Sequence, residues 1–179
     1  MSSARLAALL RRRLMSRPRA TRSRCAPRAD IDADDAIIWS TLSDYDRLAA
    51  FIPGMSASRT VARNGVEAVV EQKGYIAVGP FRRNFAVLLA MNERQNQSIT
   101  ASAIGGDFRC FESRYRIEPL APHRSRIVYQ ATLVPAIALP PIVGSTVMRF
   151  VIGAQFQALL DEIERRATVA RMAATTLRR

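Results

Sequence analysis

The stretch WSTLSDYDRLAAFIPGM, Trp39 to Met55, decides the reading of this chain. It predicts a short helix, a second short helix, and a stop at Pro53-Gly54. Asp34-Asp35 marks the first start. Ser43 or Asp44 is placed to cap the second helix, and Pro53 ends it. Upstream, PRADID offers at most a weak strand. Downstream, the pattern changes to six strand-like runs at about 56–64, 66–77, 81–93, 97–105, 108–119 and 124–135. Asn64-Gly65, Gly79-Pro80, NERQNQ, Gly105-Gly106 and PLAPH punctuate them. Such short connections imply antiparallel neighbours. After Pro140-Pro141 the period becomes 3.6, and one long helix is predicted from Ile142 to about Arg171.

A sheet with one apolar face must be covered. The final helix is the only large element available to cover it. The fold class expected is therefore α+β: a curved antiparallel sheet wrapped around a long C-terminal helix, with two short helices near the N-terminus closing one end.

Alternation assigns the faces. Phe111, Ser113, Tyr115 and Ile117 share the more apolar side of one strand, and Ile127, Tyr129, Ala131 and Leu133 that of the next. If LAPHR is the loop between them, the strands reflect about Pro122. Tyr115 then lies opposite Tyr129, Ile117 opposite Ile127, Ser113 opposite Ala131, and Phe111 opposite Leu133. Phe85, Val87, Leu89 and Met91 form the matching inward set on another strand, and Ala68, Val70 and Gln72 on the one before it. On the helix Val147, Met148, Val151, Ile152, Leu159 and Ile163 share one side, with Gln155 in its middle.

The candidate ligand-binding residues follow. Gln72, Ser113, Tyr115, Tyr129 and Gln155 are the inward polar groups, all neutral. Phe85, Val87, Phe111, Met148, Ile152 and Leu159 are the apolar wall. Gln155 has two readings, a core glutamine bonded to a neighbour or an anchor for a ligand head group. No carboxylate falls on the inward faces: Glu67, Glu71 and Glu112 point outward, and Glu162 lies near the helix end. This leaves no catalytic residue to name, and the reading leans away from an enzyme.

Charge and composition narrow the classes. At 179 residues one domain is expected. Hydrophobic residues make up 49% and charged residues 23%, with no run apolar enough for a membrane span. The net charge of +12 sits in the ends. Residues 1–28 hold nine arginines and no acid, residues 171–179 hold three more, and the stretch between is balanced. These ends are read as a basic, disordered tail and a basic C-terminal tail around a domain at 29–170. The arginines suit a membrane surface or RNA, but a neutral body lacks the basic face of a nucleic-acid-binding fold. The two cysteines, Cys25 in the tail and Cys110 in a strand, exclude a disulfide framework and a cysteine zinc cluster. The lone histidine, His123, reads as a solvated turn residue, and no metal is expected. A cytoplasmic location is expected, or the mitochondrial matrix if residues 1–28 are a transit peptide.

WSTLSDYDRLAAFIPGM, GPFRRNF, GDFRCFESRYRIEP, RIVYQATLVP and the amphipathic final helix together resemble the START-like (SRPBCC, helix-grip) superfamily over about residues 30–168. Within it the chain is most similar to the polyketide cyclase/dehydrase and coenzyme-Q-binding group. It departs in its first strand: RSRCAPRADIDA is a poor one, which leaves a missing or displaced strand open beside the weak strand at PRADID. The resemblance implies a hydrophobic ligand held between sheet and helix: a lipid, isoprenoid quinone or polyketide-like molecule, with no other cofactor. Its ribosome-associated relatives imply a second role, RNA-associated regulation through the arginine tails. Its enzymes imply a third, cyclase or dehydratase chemistry.

Overall fold

The computed structural model describes residues 23–78, 81–136 and 141–176. Strands β1 (Ser23–Cys25) and β2 (Arg28–Ile31) lead into helix α1 (Asp35–Leu42) and a 3-10 helix (Tyr45–Ala50). Six strands follow: β3 (Met55–Asn64), β4 (Glu67–Val78), β5 (Phe81–Arg94), β6 (Ser98–Gly106), β7 (Phe108–Ala121) and β8 (Arg124–Pro135). Helix α2 (Pro141–Thr176) ends the described chain. All eight strands form one antiparallel sheet, ordered β1-β8-β7-β6-β5-β4-β3, with β2 also paired to β8. This is the helix-grip fold. Helix α2 runs five residues beyond the expected end at Arg171.

The first strand is neither missing nor displaced. Cys25 pairs with Ala131 and Arg28 with Val128, which is one continuous register. Only Ala26-Pro27 interrupts it. The carbonyl of Pro27 still accepts from the Tyr129 amide at 2.9 Å, but proline has no N–H to return. The strand thus begins inside the segment expected to be a tail, and Cys25 is buried within it. Residues 1–22 lie outside the described residues.

The β7–β8 hairpin has the anticipated register at all four pairs, Tyr115–Tyr129, Ile117–Ile127, Ser113–Ala131 and Phe111–Leu133. His123 occupies its turn with φ 61° and pairs with Asp34. Asp34 stands at the N-cap of α1 but spends its carboxylate on that histidine instead of the helix amides. Asp44, at the N-cap of the 3-10 helix, likewise makes no capping bond and binds Arg166 of α2 at 2.9 Å. Ser43 bonds back to the Trp39 carbonyl at 2.8 Å. At both helix starts the carboxylate thus turns to a tertiary partner and not to the helix amides.

Two glycines allow the corner at Pro53-Gly54. Gly54 has φ 76°, and its carbonyl accepts from the Tyr75 amide at 2.8 Å. A Cβ at Gly74 would lie 2.4 Å from that carbonyl, so β4 must be bare where the corner crosses it. The inward faces of the strands meet Met148, Ile152, Phe156, Leu159, Leu160, Ile163 and Ala167 of α2 in one core.

Candidate functional site

Between sheet and helix the core stays open. A cavity of about 150 Å³ runs from Leu42, Tyr45, Met91 and Ile99 at one end to Met55, Ile76, Phe85, Phe108 and Phe111 at the other. All eleven residues singled out from the sequence line it: Gln72, Phe85, Val87, Phe111, Ser113, Tyr115, Tyr129, Met148, Ile152, Gln155 and Leu159. Strand alternation brings the first seven together from β4, β5, β7 and β8, and the 3.6 period brings the last four from α2. No charged residue is among the described residues that line the cavity.

Aromatic side chains build the wall. Tyr115 and Tyr129 lie 4.3 Å apart, centroid to centroid, with rings tilted by 30°. Phe156 of α2 stacks on Tyr129 at 6.5 Å. At the far end Phe85, Phe108 and Phe111 meet edge-on at 5.6 and 5.8 Å, a favoured geometry for aromatic pairs.

Burial sets the state of the polar groups. It pushes the Tyr129 phenol up to about 12, against a smaller opposing pull from Ser113 beside it. Burial, and then the nearby Tyr129, push Tyr115 well above the ordinary tyrosine value. Both stay protonated at neutral pH and act there as hydrogen-bond donors, not bases. Gln155 is half-buried, lines the cavity, and donates its Nε2–H to the Pro53 carbonyl at 3.3 Å. The bond joins α2 to the corner.

One expectation is overturned. A carboxylate does lie on an inward face, because Glu93 continues the alternation Phe85, Val87, Leu89, Met91 and is buried. Tyr45 donates to its Oε1 at 2.7 Å, and Arg63 donates to Oε2 at 3.0 Å. Tyr45 is itself buried and lines the cavity, which Glu93 does not. Burial, with the Glu93 carboxylate adding to it, holds the Tyr45 phenol far above the ordinary value. The sequence carried the signal in the unbroken period of two, but the partners come from distant elements. Among the described residues no cluster of histidine, cysteine, aspartate or glutamate is arranged to hold a metal.

The model of the family described as polyketide cyclase/dehydrase and lipid transport matches residues 31–164. The chain belongs to that family. Solved structures of the START/SRPBCC superfamily share the fold of this polyketide cyclase/dehydrase family member. The ZhuI aromatase/cyclase of a Streptomyces species aligns with a TM-score of 0.69 at 16% identity, covering 82% of this chain and 96% of that one. A START superfamily protein from Mycobacterium smegmatis aligns at 0.64 and 16%, covering 82% and 98%. A major latex-like protein from Panax ginseng aligns at 0.58 and 10%, covering 82% and 97%. At such identities the likeness is one of fold. No curated protein matches the sequence significantly.

Proposed function

We propose that this protein binds a hydrophobic small molecule between the sheet and α2. The carrying observation is the wall: seventeen of its twenty-three residues are apolar and the other six neutral. An apolar cavity with a few converging polar groups is the usual form of a small-molecule site. Family membership supports a hydrophobic ligand of the lipid or polyketide type.

The size of the cavity bears on the ligand. A cavity of about 150 Å³ holds a benzene-sized ring. A drug-sized ligand needs at least about 300 Å³. To admit one, α2 must release the Gln155–Pro53 bond and move off the corner. Each CH₂ then buried contributes about 0.8 kcal/mol toward the opening.

Binding is favoured over acid–base catalysis because the tyrosines of the wall are held protonated and its other polar groups are amides and a serine. A role for residues 1–28 and 171–179 on RNA or a membrane surface rests on their charge alone. No helix of the described residues is long and apolar enough to cross a membrane.

Organic extraction of the purified protein, read by mass spectrometry, should release a hydrophobic compound. Titration with ethylbenzene should show saturable binding that the cavity-filling Ala101→Phe removes. Saturation unaffected by that substitution would place binding elsewhere and overturn the reading.

A further inference from the structure

Among the described residues that line the cavity, Tyr45 is the one tied to a buried charge. Its hydroxyl carries a single hydrogen, and Glu93 Oε1 takes it at 2.7 Å. Arg63 donates to Glu93 Oε2 at 3.0 Å, so both carboxylate oxygens act as acceptors in this network. A hydroxyl whose hydrogen is committed has only lone pairs left to offer. Tyr115 and Tyr129, nearer the middle of the cavity, have no charged partner among the described residues, and Ser113 stands beside Tyr129.

We infer that Tyr45, with its hydrogen fixed by Glu93 and Arg63, is an acceptor subsite that selects a ligand hydroxyl, as of a phenol, enol or alcohol, and refuses a carbonyl at that end of the cavity. The inference rests on the cavity being a binding cavity and deepens that reading by naming the group it recognises. Polarisation by the buried carboxylate makes the Tyr45 oxygen a better acceptor than an isolated phenol. A carbonyl brought there faces lone pair against lone pair. A ligand with a hydroxyl at one end and a carbonyl farther along meets acceptor and donors in the order the cavity presents them.

Three small ring compounds test it: ethylbenzene, 4-ethylphenol and acetophenone, each titrated by calorimetry into the wild-type chain and Glu93→Gln. In the variant Arg63 retains the amide oxygen, so the amide NH₂ faces Tyr45 and frees its hydrogen. Tyr45 then changes from acceptor to donor. Acetophenone affinity should rise about fivefold, the worth of one ordinary hydrogen bond, while 4-ethylphenol, whose hydroxyl both donates and accepts, should change less. Ethylbenzene should be unmoved. An unchanged ratio of phenol to ketone, with ethylbenzene still bound, overturns the subsite and leaves the cavity reading intact. Failure of all three to bind the wild-type chain overturns both. Should Glu93→Gln not fold, the wild-type complex still decides. Nuclear Overhauser contacts from the ring protons beside the phenol hydroxyl to the Met91 methyl support the subsite. Contacts to the Met55 methyl instead overturn it.

Discussion

Tyr115 and Tyr129 face each other across the β7–β8 hairpin with ring centroids 4.3 Å apart, and both rings wall the same cavity. Cross-strand partners on one face are the closest side-chain neighbours a sheet provides. The pair links the hairpin register to the cavity's chemistry, since a slip by one residue would turn one ring outward.

Tyr129→Phe keeps that ring pair and removes one oxygen. The melting temperature should change by no more than about 2–4 °C, the shift for about 1 kcal/mol in a domain of this size. Acetophenone affinity should fall between about twofold and tenfold. Calorimetric titration measures this directly, and an unmoved affinity would make Tyr129 a core residue alone.

Alkaline pH should unfold the protein from the cavity outward. Tyrosine in an unfolded chain ionises near pH 10, whereas burial pushes Tyr129 up to about 12 and Tyr115 and Tyr45 higher than usual. Above pH of about 10 the folded state therefore holds more protons, and stability falls as pH rises through 12. Urea midpoints should decline across that range. Ionisation of these three phenols, followed by ultraviolet absorbance, should coincide with unfolding instead of preceding it.

Gly74→Ala places a methyl where the Gly54 carbonyl stands 2.4 Å away, with the Phe85 ring at 2.9 Å on another side. Backbone on one side cannot yield cheaply. A loss of about 1–3 kcal/mol or more is expected. Thermal melts would show it, and a melting temperature equal to wild type would mean that the corner is not seated on β4.

Acid should loosen the far end of α2. The Arg165 guanidinium first, and then Arg166, hold the Glu162 carboxyl down at about 2. An unfolded glutamate titrates near 4.3, so this stabilisation is complete above that pH and is lost as pH falls toward 2. Arg166 also reaches Asp44 at 2.9 Å, tying α2 to the 3-10 helix. Stability of Glu162→Gln should consequently depend less on pH between about 4.5 and 2 than that of the wild-type chain. Arg166→Ala should speed hydrogen exchange across Tyr45–Ala50 at neutral pH, and unchanged exchange would show the bridge to be idle.

Much of this was legible in local pattern. A period of two over six runs and of 3.6 after Pro140-Pro141 assigned the faces, because side-chain direction follows from backbone geometry alone. The loop at Pro122 set the hairpin register, so Tyr115 and Tyr129 met as read. Phe156, which stacks on Tyr129, and Leu160 on α2 are also buried, because an α-helical stripe spans more than one line of residues.

What local pattern determined was orientation: which side of a strand or helix each residue shows. Only the tertiary structure decided what each side chain finds there. Glu93 sits at the next inward position after Met91, yet charge argues for water. Its burial depends on Tyr45 and Arg63 arriving from elements 48 and 30 residues away. Gln155 faces the cavity by helical period, but its amide is engaged because the corner at Pro53 is folded back against α2. The first strand reads poorly because Pro27 lacks a donor, and it pairs nonetheless because β8 supplies the ladder on both sides of that gap. Periodicity is a property of one segment, whereas the partner that offsets a buried polar group comes from another.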